Sequence, residues 1–392
     1  MIYDFDKIID RYSTNSVKYD LAKDYGKPED ILPLWVADMD FQAPPYVVES
    51  LINRSQHGIY GYTVLKPDYY EAVKGWFASR YNWDVCDDWL ISTPGVVSAI
   101  NIAVRGLTMP NDAIIIQQPV YNPFKDAILN NGRKLVVNKL IYENGRYTID
   151  FADFEEKIVS ENVRMFILCS PHNPVGRVWT QEELINLGDI CKKHNVLVVS
   201  DEIHADFIYP GNKHQVFAKV KPDFADFSIV CTAPTKTFNL AGLQVSNIFI
   251  PNSDIRKLFR DELKHSGYGH ANVMGIVACQ AAYSSGGEWL DALLEYLEGN
   301  IAFLHDFLEK HIPQVRLVKP EGTYLAWLDC NGLGLDDNSL ENLLVNHARI
   351  WLNKGTIFGA GGSGFQRLNF ACPRSILEKA LERLEKAVNS KL

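Results

Sequence analysis

Residues 164–204 read RMFILCSPHNPVGRVWTQEELINLGDICKKHNVLVVSDEIH, and the order of patterns within them sets the fold class. An uninterrupted apolar run (164–170) meets a turn cluster of two prolines, an asparagine and a glycine, followed by a helical pattern and a second apolar run (196–201). Thr180, with Glu183 three positions on, has the spacing of a capping box and fixes where the helix starts. Apolar runs without polar alternation belong to strands covered on both faces, which points to a mainly parallel sheet with helices above and below.

The same alternation extends outward from this unit. Strand-like runs fall at WLIST (89–93), AIIIQ (113–117), KLVVNKL (134–140), SIVCT (228–232) and NIFI (247–250), giving seven strand candidates with the two above. Helical patterns lie between them at YYEAVKGWFASRY (69–81), VVSAINIAVRGL (96–107), NPFKDAILNN (122–131) and DFADFEEKIV (150–159). From about residue 285 the pattern changes to a long helix (290–311), strand-like VRLVK and TYLAWLDC, the helix SLENLLVNHA and a terminal helix (375–390), an α+β arrangement. A chain of 392 residues exceeds the ~250–300 at which single cores stop growing. The expected organisation is an N-terminal segment (1–50) that packs on the C-terminal domain or lines the cleft, a large domain (51–284) and a small domain (285–392).

Bulk properties narrow the function. A net charge of -9 argues against nucleic acid as a partner and leaves small molecules. No apolar run approaches the ~18 residues that span a bilayer, and the N-terminus lacks an apolar targeting core, so no membrane role and a cytoplasmic location are expected. The seven cysteines stand singly without paired spacing, which predicts buried reduced thiols and no metal site.

Ligands of such sheets bind beyond the carboxyl ends of the strands, so the residues that follow each run are the candidates. After WLIST comes PGVVSAI, where Gly95 permits a turn and the N–H groups of Val96 and Val97 open a helix suited to phosphate. Tyr121 follows AIIIQ, Asn173 follows RMFILCS, Asp201 and His204 close VLVVSD and follow it, and Lys236 follows SIVCT. Singly, each has a plain structural alternative: a common turn, a core-edge aromatic, a loop asparagine, a helix cap, a solvated lysine. Together they supply a phosphate cradle, an aromatic plane, an amide, a buried carboxylate and a primary amine at one crevice, the requirements of pyridoxal phosphate.

The sequence also resembles the fold-type I pyridoxal-phosphate enzymes of the class I/II aminotransferase superfamily, and within it the cystathionine β-lyase-like C–S lyases of the MalY/PatB type. The resemblance runs through LPLWVADMDF (32–41), TPGVVSAI (93–100), SPHNPVGRVW (170–179), SDEIHADF (200–207), APTKTFNLAGLQ (233–244), EGTYLAWLD (321–329) and FQRLNFACP (365–373). It implies that Lys236 forms the imine with the cofactor and then acts as base. Asp201 would pair with the ring nitrogen, Asn173 would donate to the ring oxygen with His204 nearby, and Tyr121 would stack on the ring. The segment Gly95, Val96 and Val97 would hold the phosphate. Tyr62 would reach a phosphate across a homodimer interface, and Arg367 would grip the substrate carboxylate, with Asn173, Ala37 and Tyr121 also on the substrate side. Gln244, eight residues after the lysine, stands where many aminotransferases carry an arginine, which favours the lyase group.

The implied reaction is β-elimination from L-cystathionine, L-cysteine or a related cysteine S-conjugate. Lys236 must lose its proton more easily than a free lysine, which a desolvated position almost without acidic neighbours would achieve. Two alternatives remain at this point: an aminotransferase of aromatic or apolar amino acids, favoured by Trp35, Tyr121 and Tyr324, and a regulatory protein that keeps the fold.

Overall fold

The computed structural model describes residues 3–391. All seven strand candidates form one sheet: β1 (Leu90–Thr93), β2 (Ala113–Gln118), β3 (Lys134–Lys139), β4 (Val163–Cys169), β5 (Leu197–Asp201), β6 (Ser228–Thr232) and β7 (Ser246–Phe249), in the order β1-β7-β6-β5-β4-β2-β3. Every pairing from β6 to β3 is parallel, and β7 alone runs antiparallel to both neighbours. An antiparallel neighbour needs no long crossover helix, so the chain from β6 to β7 crosses the sheet edge as a loop with only two short helical turns, Pro234–Thr237 and Ala241–Leu243. That loop carries Lys236.

Two cores flank the sheet, and β4 shows how one strand serves both. Met165 and Ile167 join Ile114, Ile116 and helix α1 (Val96–Leu107) on one face, while Phe166 and Leu168 join Ile115, Val198 and helix α2 (Gln181–Lys193) on the other. Each such side chain contributes roughly 1.5–3 kcal/mol on burial, which explains why the central strands contain no polar alternation. The capping box at Thr180 and Glu183 is present and starts α2 where the spacing predicts.

The C-terminal part builds an antiparallel sheet from β8 (Arg316–Val318), β9 (Leu325–Asp329), β10 (Asn353–Lys354) and β11 (Phe365–Asn369), in the order β8-β9-β11-β10. Helices α3 (Gly287–His311) and α4 (Arg374–Lys391) accompany it. Near the N-terminus, Leu32–Pro33 pairs in parallel with Ile350–Trp351, and the next residues run between this sheet and the Lys236 loop. A helix over Pro45–His57 runs through the boundary expected at residue 50, so the segment leaning on the C-terminal sheet ends before residue 45. Proline at the first turn of this helix, where an N–H has no partner in any case, accounts for a start earlier than that boundary.

Two further expectations need correction. SLENLLVNHA is not one regular helix: Asp337–Asn342 is α-helical and Leu343–His347 is a π-turn. Cys86 is exposed, whereas the other six thiols are buried, and all seven are free. Among the described residues no helix is long and apolar enough to cross a membrane.

Gly188 sits on α2 where a Cβ would come within 2.1 Å of the Phe224 ring, itself stacked on Phe217. Gly188→Ala is expected to destabilise the protein by about 1–3 kcal/mol through overpacking. A lowered thermal midpoint with an unchanged circular dichroism spectrum would be the observation that checks it.

Candidate active site

The sheet order reverses between β2 and β4, the position where the carboxyl edge of an open sheet leaves a crevice. A cavity of about 180 Å³ opens there. Gly95, Val96 and Val97 line it at the start of α1, Tyr121 after β2 and Asn173 after β4. Asp201 and His204 enter it from the end of β5, Lys236 from the loop after β6, and Ala37 from the N-terminal segment. Nine sequence-derived candidates therefore share one cavity.

Backbone pairing positions the polar groups. Asp201 ends the middle strand, flanked by Cys169 on β4 and Cys231 on β6. Its carboxylate accepts the Ile203 N–H at 3.1 Å, and burial pushes its pKa up to about 7, against the smaller opposing effects of that hydrogen bond and of Lys236. Tyr121 N–H donates to the Asn173 carbonyl at 3.1 Å, which ties together the loops after β2 and β4.

The Lys236 amine donates to the Ala37 carbonyl at 2.6 Å. Although the residue is partly exposed to the cavity, its amine is surrounded by protein, and burial lowers its pKa to about 8. Contrary to the expectation of a site almost without acids, Asp38 and Asp201 both oppose that fall, while Arg367 adds to it. Burial, with Lys236 and Arg367 adding to it, keeps His204 neutral, and its Nδ1 has no hydrogen-bond partner.

Arg367, in the middle of β11, points back at the cavity edge. It donates to Asn173 Oδ1 at 3.0 Å, to the Trp35 carbonyl at 2.9 Å and to Asn353 Oδ1. All three partners are neutral, Nε has none, and burial lowers its pKa to about 10. A buried guanidinium without a counter-charge is strongly predisposed to bind a carboxylate. Because Asn173 accepts from Arg367 through its oxygen, its amide NH₂ is left to donate into the cavity.

Tyr62 is the candidate that does not join the others. It is 93 % exposed, its ring 5.0 Å from that of His270. Sequence reasoning passed over Asn353, Cys169 and the carboxylate of Asp38. Cys169, the last residue of an apolar strand, was accessible to the strand-end argument; Asn353 lies on a two-residue strand that leaves no periodic signal. Gln244 is exposed, in a left-handed conformation at the end of the lysine loop, and does not line the cavity.

A family model for aminotransferase class I and II matches residues 29–384. Cystathionine beta-lyase PatB of Bacillus subtilis is 44 % identical over 385 residues, covering 98 % of this chain and 100 % of that protein. The chain belongs to the MalY/PatB-type cystathionine β-lyases of this family. Cystalysin of Treponema denticola, solved with pyridoxal 5'-phosphate, is 40 % identical with a TM-score of 0.96, and both chains are covered in full. A pyridoxal-phosphate-bound structure from Clostridium difficile 630 that carries the name aminotransferase is 47 % identical, also with a TM-score of 0.96, covering 99 % of this chain and 100 % of that one.

The residues fit that cofactor. A buried acid raised to about 7 lacks the cation that a protonated ring nitrogen would be, and a Cβ built on Gly95 at the start of α1 would meet open space. The cofactor-free chain thus carries a testable strain. Asp201 binds a proton in the folded state between its ordinary value near 3.8 and about 7, where the unfolded chain has released it. Its contribution to stability is therefore largest at low pH and falls as pH rises through that window. Asp201→Asn should raise the thermal midpoint of the cofactor-free chain at pH 8, with the gain vanishing towards about pH 4. Thermal melts across that range read the effect.

Proposed function

We propose that this chain is a pyridoxal-phosphate-dependent carbon–sulfur lyase that cleaves the Cβ–S bond of L-cystathionine or a related cysteine S-conjugate, giving a thiol, pyruvate and ammonia. The observation that carries this reading is the convergence, at one cavity, of a lysine amine with a pKa near 8 and a buried arginine whose partners are all neutral. Such a pair fits an α-amino acid, with the carboxylate on Arg367 and Cα beside Lys236.

When bound, pyridoxal phosphate supplies an imine carbon and an electron-withdrawing ring that accept the electron pair released at Cα. Asp201, buried at the end of the central strand, would pair with the ring nitrogen and keep it protonated. Asn173 would donate its free amide to the ring oxygen, Tyr121 would cover the ring face, and Gly95, Val96 and Val97 would hold the phosphate at the start of α1. Arg367 orients the substrate so that its Cα–H faces Lys236. Lys236, half of it neutral at about pH 8, takes the Cα proton at Nζ, and the Ala37 carbonyl accepts a hydrogen bond from the ammonium that results. That proton then serves the departing sulfur.

We further propose a cytoplasmic homodimer. Ile59, Tyr60, Tyr62 and Val64 lie exposed in one irregular segment, an apolar edge that a second copy would cover. Tyr62 would reach the partner's phosphate from there. Tyr62→Phe is expected to weaken cofactor retention about tenfold, the effect of losing one charge-assisted hydrogen bond, and equilibrium dialysis would measure it.

An aminotransferase acting on apolar amino acids is the second reading; of the three aromatics that suggest it, Tyr121 lines the cavity, whereas Tyr324 reaches only the Ala37 carbonyl and the Trp35 ring stacks on Trp351. L-Cystathionine should yield thiol and pyruvate without an added keto acid; strict dependence on 2-oxoglutarate would establish the second reading instead. In the same assay Lys236→Ala should abolish turnover. Arg367→Ala should lower kcat/KM about 100-fold or more by leaving the carboxylate without its partner.

A further inference from the structure

The segment WVADMDF (35–41) gives only Ala37 to the cavity, yet its backbone is held along its whole length. Side chains grip the carbonyls of Trp35 (Arg367), Val36 (Asn369), Ala37 (Lys236 and Tyr324), Asp38 (Asn369 and Lys18), Met39 (Asn239 and Arg11) and Phe41 (Asn239). The grips come from four places: the lysine loop (Lys236, Asn239), β11 (Arg367, Asn369), Tyr324 just before β9, and the N-terminal residues Arg11 and Lys18. The strap therefore links the group that removes the proton to the group that holds the carboxylate.

The carboxylates of the strap form a cluster with that N-terminal segment. Arg11 bridges Asp38 and Asp40, both at 2.7 Å, and Lys18, fully buried, meets Asp40 at 2.7 Å and Asp38 at 3.9 Å. Two buried or half-buried pairs of this kind add little net stability compared with apolar packing, so fold alone gives no reason for them. Asp38 directly follows Ala37, whose carbonyl accepts from both Lys236 and the Tyr324 hydroxyl, and it is the charge with the largest effect on Lys236; the other charges facing the amine are Asp201 on β5 and Arg367 on β11, with neutral His204 beside them. Around Asp38 itself stand Arg11, Lys18 and the Tyr324 hydroxyl, while the Tyr19 hydroxyl lies against Asp40.

We propose that Asp38, oriented by Arg11, is a positioning residue that holds the protonated form of Lys236 on the strap after it has taken the Cα proton. The Ala37 carbonyl supplies the hydrogen bond and Asp38 the negative charge behind it. Arg11 limits that charge, so the two residues act on Lys236 with opposite sign. The step is a proton transfer alone: Cα–H breaks, Nζ–H forms, and the same proton passes to the thiolate sulfur when Cβ–S breaks. The inference rests on the lyase reading for the identity of that last acceptor.

The test is a pH titration of the visible absorbance of the cofactor-loaded protein, whose midpoint reports the nitrogen of Lys236, in wild type, Asp38→Asn, Asp38→Glu and Arg11→Gln. Asp38→Asn should lower the midpoint by about one unit or more, since a unit charge within ~12 Å at an effective dielectric near 20 is worth at least that, and Asp38→Glu should restore it. Arg11→Gln should raise it. In pyruvate release, Asp38→Asn should lower kcat about tenfold with KM changed less than about threefold, as for a group that acts in the transition state. Midpoints that stay within about 0.2 unit of wild type, or that move the same way in Asp38→Asn and Arg11→Gln, would overturn the proposal, since each charge must then act only on folding. If either variant yields no folded protein, the sign of the shift in the other decides. The absorbance reports Lys236 whichever group leaves the substrate, so a failed lyase assay and a failed shift are separate results.

Discussion

The hydrogen bond from the Lys236 amine to the Ala37 carbonyl is the contact on which the remainder of the site depends. It exists because β7 runs against its neighbours, which leaves the chain after β6 free to cross the sheet edge in a short loop, with Lys236 on a single helical turn, Pro234–Thr237. It also requires that residues 35–41 pass over that edge, and they do so because Leu32–Pro33 is already paired with Ile350–Trp351. The reactive amine is thus located by two topological facts, one in each part of the molecule.

Charge follows the same logic. The site buries a lysine, an arginine and an aspartate and places no two of them in direct contact; desolvation dominates the shift of each, away from its charged form. Such an arrangement is costly in an empty cavity and becomes favourable with a ligand that carries a cation for Asp201 and a carboxylate for Arg367. The energy stored in the separation of these charges is the specificity of the site for an amino acid joined to a pyridine ring. His204 is the exception, since a neutral imidazole with an open Nδ1 offers a hydrogen bond without adding charge.

Much of this was legible in the sequence because parallel sheets impose a simple code. Buried strands are apolar throughout, function lies just past their ends, and five of the seven runs therefore pointed at Gly95, Tyr121, Asn173, Asp201 and Lys236 without any knowledge of their contacts. Elements of two or three residues carry no period, so β10, with Asn353, and the pairing of Leu32–Pro33 could not be read. Tertiary partners were equally silent. Asp38 was visible within WVADMDF, but nothing local says that its carboxylate meets Arg11, 27 positions away, or that its field reaches Lys236.

That silence bears on the difference between lyases and aminotransferases. The groups that read easily from strand ends, Lys236, Asp201 and Asn173, perform the steps common to both reactions, since each needs a base and an electron sink. What separates the outcomes is where the abstracted proton goes next, and this depends on how long and in what direction the lysine ammonium is held. In this chain the holding group is a backbone carbonyl on a strap pinned by side chains from the lysine loop, β11, the N-terminal segment and Tyr324 before β9. With Asp38 and Arg11 acting as proposed, reaction specificity belongs to the strap and its charge cluster, outside the residues that touch the cofactor, where strand ends alone carry no signal.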